Sequence, residues 1–262
     1  MIQIIIFATL LFGILLLYNL RKYSKQKHTL EEPFPDKWKK ILIEKVAFYN
    51  HLDEQTKEKF RKRIQQFLAD TSIRGVKDVT VDDTIKLLVA SSAIIPVFLF
   101  DGWEYPNLTQ VLIYEGAVET HQESDPEING TLLGQVRPFQ SKHLLLLSKQ
   151  SLISGFESMN GKSNVGFHEF AHLIDQLDGN IDGIPKVLMP ESLLKPWTEL
   201  MYAEIEKIQS DQSDINTYAL TNHAEFFAVV CEYFFNNPVV FKEKHPQLYS
   251  IMEAIFLKKA NS

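Results

Sequence analysis

The chain has 262 residues, 45% hydrophobic and 23% charged, which is enough for one domain with a substantial core and a terminal segment besides. Its net charge of −6 gives no reason to expect a nucleic-acid partner. A single cysteine, Cys231, excludes an internal disulfide and a cysteine-rich zinc finger, and in its apolar run it is expected to be a small core residue.

Residues Ile2 to Leu20 are almost wholly apolar and carry no charge. As a helix they would span about 28 Å, close to the hydrocarbon thickness of a bilayer. Arg21, Lys22, Lys25 and Lys27 follow at once, the reverse of the charge order in a secretory signal. The expectation is a single-pass transmembrane anchor over residues 1–21, with the downstream domain facing the cytoplasm. Residues 22–35, basic and then proline-containing, read as a linker, and 36–262 as the domain.

Trp38, Ile41, Leu42 and Val46 recur at helical spacing between Asp36 and Phe48, and a second helix is expected over Asp53 to Leu68. Thr80 with Asp83 resembles a capping box ahead of a buried helix, Ile85 to Ala93, which Pro96 ends. Val97 to Phe100 and Val111 to Tyr114 read as short strands. Glu119 to Gly130 is polar and reads as a loop. Leu132 to Val136 and His143 to Leu147 are expected to pair as strands around a turn at Arg137-Pro138. The open edge of such a strand could hold an extended peptide by main-chain hydrogen bonds.

The next stretch carries the chemistry. His168-Glu169-Phe170-Ala171-His172 is an H-E-x-x-H pattern. On a helix, positions i and i+4 share a face, so both imidazoles can grip one zinc ion through nitrogen at about 2.0–2.1 Å. Glu169, beside the first ligand, is placed to act as general base toward a metal-activated water. Val165, Phe167, Phe170, Leu173 and Ile174 make this a buried helix, and two histidines and a glutamate in a core need partners. A metal supplies one.

After Asp178-Gly179-Asn180, a helix stop, helices are expected over Pro196 to Ile208, Tyr218 to Phe235 and His245 to Leu257. A catalytic zinc takes three protein ligands and leaves a place for water. Three carboxylates compete for the third position. Asp178 is ten residues after His168, but a continuing helix carries it about 15 Å along the axis, out of reach. Glu225 is the better candidate, a carboxylate embedded in an apolar helix. Glu232 shares its face two turns later, and spacing does not exclude it. Tyr218, two turns before Glu225 if the helix extends so far, could donate a hydrogen bond to a developing oxyanion. Asp175 is placed to orient a ligand imidazole, and His223 reads as a surface or capping histidine.

Together with Asp182-Gly183-Ile184-Pro185, Trp197, Tyr218-Ala219, Ala224-Glu225-Phe226-Phe227-Ala228-Val229 and Glu232-Tyr233-Phe234-Phe235, the motif resembles the Mlc titration factor A family of zinc metallopeptidases. The resemblance implies His168, His172 and Glu225 as ligands of one zinc per chain, Glu169 as general base and Tyr218 as an active-site tyrosine. It implies a fold similar to the catalytic domain of anthrax lethal factor, aminopeptidase-like activity on a peptide or protein substrate, and a transcriptional repressor as partner. The apolar amino-terminal run and the acidic stretch Glu119 to Gln135 depart from the family pattern. The reading is therefore a mostly helical α+β protein: a zincin-type metallopeptidase domain behind a transmembrane helix. The alternative is a module that sequesters a repressor and uses zinc structurally.

Overall fold

The structure is a computed structural model and describes residues 32–116, 118–119, 131–132, 134–139, 142–157 and 161–257. The chain enters through helices α1 (Asp36–Lys45), α2 (Ala47–Asn50) and α3 (Glu54–Asp70). The single helix expected over Asp36 to Phe48 is broken at Val46, whose backbone is extended. Asp53 caps α3 by accepting from the Thr56 N–H. Strand β1 (Ser72–Gly75) follows, then helix α4 (Asp83–Ile94), capped by Asp82 rather than by the expected Thr80. Val97 to Phe100 is not a strand. The N–H groups of Val97, Phe98 and Phe100 bond to carbonyls three residues back, and the Arg63 guanidinium donates to the carbonyls of Val97 and Phe98. The apolarity of this run records burial, not a pleat.

Strand β2 (Leu108–Tyr114) leads to a short antiparallel pair, β3 (Val118–Glu119) with β4 (Thr131–Leu132). Strand β5 (Gly134–Phe139) then pairs antiparallel with β6 (Lys142–Ser148). No turn forms at Arg137-Pro138, because β5 runs on through both residues, with Pro138 opposite His143. A proline is tolerated there because β5 is an edge strand of the four-stranded sheet, whose order is β1-β2-β6-β5. β1, β2 and β6 are parallel, and only β5 runs the other way.

Helix α5 (Lys149–Glu157) precedes α6 (Val165–Asp175), which ends in a 3-10 turn, Gln176–Asp178, and a left-handed Gly179. Helix α7 (Glu191–Gln209) begins earlier than expected and carries Pro196 in its interior. A second 3-10 turn, Thr217–Leu220, is separated by Thr221-Asn222 from α8 (His223–Asn236), so the continuous helix expected from Tyr218 to Phe235 does not form. Helices α9 (Pro238–Lys244) and α10 (Pro246–Phe256) close the described chain.

Two hydrophobic cores meet at α6. One joins α1–α5 to the sheet and takes Val165, Phe167, Phe170 and Leu173 from α6. The other joins α7, α8, α9 and α10 and takes Ala171 and Ile174. This is why α6 is apolar around most of its circumference: both flanks face protein. Cys231 is buried in the second core, as expected.

The expectation of a membrane-anchored, cytoplasm-facing protein needs correction. Among the described residues no helix is long and apolar enough to cross a membrane. The longest, α7, is charged along its exposed face. The strongly apolar α8 has 14 residues, about 21 Å against a hydrocarbon core of about 30 Å. The run Ile2 to Leu20 that prompted the expectation lies outside the described residues.

Candidate metal centre

Helix α6 starts with a well-made cap. The Asn164 side chain accepts from the N–H groups of Gly166 and Phe167, at 3.0 and 3.2 Å. One turn inside, His168 and His172 stand on the same face with their Nε2 atoms 3.1 Å apart. Helix α8 is capped in the same way, by Asn222 accepting from the Glu225 N–H at 2.9 Å. Glu225 therefore sits in the first turn, where the positive end of the helix dipole favours its carboxylate. Its Oε2 lies 2.9 Å from His168 Nε2 and 3.3 Å from His172 Nε2.

These three residues form the one group of candidate metal ligands found among the described residues. Asp178, weighed against Glu225 from spacing, is not in it. Donor atoms about 2.0–2.1 Å from one tetrahedral ion stand about 3.3 Å from each other, close to the separations seen. The bonding pattern fits a cation as well. Glu225 Oε2 is buried, and its polar neighbours are the two imidazole nitrogens. Burial disfavours a charged His168, but hydrogen bonds to Glu225 and Glu232 outweigh it and lift the pKa of this ring to about 10. Burial likewise opposes ionisation of Glu225, yet its contacts to His168 and His172 hold it down at about 2. The surroundings thus favour positive charge between the imidazoles and the carboxylate, which a divalent ion also provides.

Glu169 points away from solvent and is 4% exposed. Burial pushes its pKa up to about 7, against the opposing pull of His168 and His172. A carboxyl poised there can both take and release a proton near neutrality. Strand β5 passes next to it, with Gly134 against its carboxyl group. Tyr218 reaches the site from the 3-10 turn and not from α8. Its ring centroid lies 5.9 Å from that of His168, and burial together with the negative field of Glu225, Glu169 and Glu232 raises its phenol pKa.

Two residues differ from their expected roles. Asp175 accepts from the Gly183 N–H at 2.9 Å, anchoring the following loop instead of orienting an imidazole. Glu232, weighed above as a ligand, is the residue that bonds a ligand ring from behind: its Oε1 is 2.6 Å from His168 Nδ1. The heptad spacing from Glu225 was the available signal for Glu232. His223 follows the Asn222 cap, and its ring packs edge-on against Tyr202.

The sequence model of the family described as Glucose-regulated metallo-peptidase M90 matches residues 20–257. An uncharacterized protein of Synechocystis sp. is 29% identical over 243 residues, covering 88% of this chain and 87% of its own. Mlc titration factor A of Pectobacterium atrosepticum is 25% identical over 78% of this chain and 80% of its own. Mlc titration factor A of Cronobacter sakazakii is 25% identical over 86% of each.

Proposed function

The chain belongs to the glucose-regulated metallo-peptidase M90 family, and on that premise we propose that it is a zinc-dependent peptidase whose catalytic domain spans residues 36–262. The observation that carries this reading is the convergence of His168, His172 and Glu225 beside a buried carboxyl on the same helix.

His168 and His172 through Nε2, and Glu225 through Oε2, would hold the zinc. When bound, zinc supplies Lewis acidity that polarises a carbonyl and lowers the pKa of water toward neutrality. Glu169 takes the proton of the attacking water on its carboxylate and passes it to the leaving amine nitrogen. The Tyr218 hydroxyl donates a hydrogen bond to the oxygen that gains charge at the scissile carbonyl. Strand β5, at the sheet edge, holds the peptide extended by main-chain hydrogen bonds and brings it to Glu169.

The test is Glu169→Gln, followed by elemental analysis and by turnover of a peptide library with and without chelator. Zinc content is expected to stay at one per chain while hydrolysis falls by about 10²–10⁴-fold. Full turnover in this variant would refute the base. The library also separates release of amino-terminal residues, the aminopeptidase-like activity that the family resemblance implies, from internal cleavage.

The name carried by the relatives, Mlc titration factor A, favours a second reading, in which the domain binds a transcriptional regulator. The same variant distinguishes the two. A regulatory effect that survives loss of hydrolysis points to binding.

A further inference from the structure

Glu232 is the least explained charge near the site. It is 6% exposed and belongs to none of the candidate ligands, yet three donors converge on it. Oε1 faces His168 Nδ1 at 2.6 Å. Oε2 accepts from the Asn164 backbone N–H at 2.6 Å and from Ser163 Oγ at 2.8 Å. We propose that Glu232 is a positioning residue of the metal centre, setting the tautomer and orientation of His168 and locking the start of its helix to α8. The inference rests on the zinc reading above.

An ionised carboxylate can only accept, so a 2.6 Å contact requires the proton on Nδ1. In the neutral ring that binds a metal, the lone pair is then on Nε2, the atom facing Glu225 and His172. Glu225 and Glu232 lie seven residues apart on α8, about 10 Å along its axis, and the imidazole fits between them. One helix thus addresses both nitrogens of the same ring, from the ligand side with Glu225 and from behind with Glu232. The second oxygen extends this hold. Asn164 caps α6 through its side chain, and its own N–H is tied to Glu232. The residue that orients the ring therefore also fixes the helix end from which the ring projects.

Glutamine cannot replace this. Its amide has one acceptor oxygen, and its NH2 must face either the imidazole or the two donors at Ser163 and Asn164. If it faces the ring, the proton moves to Nε2 and opposes metal binding.

The experiment compares the full chain with Glu232→Gln and Ser163→Ala. Zinc affinity is measured by competition with a chromogenic chelator, and thermal unfolding is measured on metal-free protein. Glu232→Gln is expected to weaken zinc binding by roughly 10–100-fold. Ser163→Ala, which spares the imidazole contact, should stay within about 2-fold of the parent, well short of that loss. An affinity unchanged in Glu232→Gln, with only a lowered melting temperature, would overturn the inference and leave the zinc reading standing. A parent chain that takes up no zinc would overturn both. Nitrogen-15 NMR of the zinc-loaded parent gives a check independent of any variant. A proton on His168 Nδ1 supports the assignment, and a proton on Nε2 overturns it.

Discussion

Gly134 lies against the carboxyl group of Glu169: a Cβ at position 134 would stand 2.5 Å from Oε1 and 2.6 Å from Cγ. Nothing larger than hydrogen fits between the edge strand and the base unless one of them moves. Gly134→Ala should therefore displace the Glu169 carboxyl while leaving zinc content unchanged. A base misplaced by about 1 Å can cost on the order of 10²-fold in rate. Steady-state kinetics on a peptide substrate check this, and a kcat/KM equal to that of the parent would show that the strand gives way without consequence.

Glu225 and Asp178 were both candidate third ligands by spacing, and the structure groups Glu225 alone with the two histidines. Glu225→Ala should weaken zinc binding by more than the roughly 10–100-fold expected for a residue that only supports a ligand. Asp178→Ala should leave it unchanged. Equal losses in the two variants, measured by chelator competition, would remove Glu225 from the ligand set.

Gly183 connects the two ligand helices. Its N–H donates to Asp175 at the end of α6, and its carbonyl accepts from the Trp197 indole at 2.8 Å. Its φ is +73°, and a Cβ there would overlap the carbonyl oxygen of His223 at the start of α8. Gly183→Ala combines left-handed strain with a steric clash, so it should destabilise the fold by roughly 2–5 kcal/mol. Gly179→Ala is the control. Its φ is +94° but a Cβ there meets nothing within 4 Å, so only the roughly 1–2 kcal/mol backbone cost applies. Denaturant unfolding that ranks the two variants the other way would contradict the packing described.

His245 bridges two carboxylates, with Nδ1 3.1 Å from Glu204 and Nε2 2.7 Å from Asp214. Burial disfavours its charged form, but those two contacts outweigh it and raise its pKa above 6.5. Burial also opposes ionisation of Glu204, yet hydrogen bonds from His245, Ser213 and Lys207 hold it at about 2. Asp214 is held below its usual 3.8 by Lys162, Lys244, His245 and Tyr233, again against burial. The stabilisation from the imidazolium is complete below pH 6.5 and is lost as pH rises through its raised pKa. That from the carboxylates is complete above about pH 4.5 and is lost as pH falls through their lowered values. The stability advantage of the parent over His245→Gln should therefore be greatest between about pH 4.5 and 6.5 and shrink on either side. A difference in melting temperature that stays flat from pH 5 to 9 would contradict the network.

The paired histidines and their glutamate were legible in the sequence because helical spacing is a local property. Residues four apart share a face wherever the helix lies, and the apolar flanks already marked it as buried. The strands were partly legible for the same reason. The error at Val97 to Phe100 came from reading an apolar run as a strand, when either a buried turn or a pleat accounts for such a run. β1 was not anticipated, because four residues in a parallel pair gain their order from β2 and not from their own pattern.

What the tertiary structure decided is which distant residues meet. Tyr218 approaches His168 although its helix stops short of α8, so its place comes from the 3-10 turn and not from a shared helical face. Glu225 and Glu232 look equivalent by period. They divide into a candidate ligand and a positioning residue only because α8 crosses α6 with His168 between them. Crossing position depends on side-chain packing in two cores and on a loop pinned at Gly183, interactions between residues on different elements. Periodicity along one element carries no information about them.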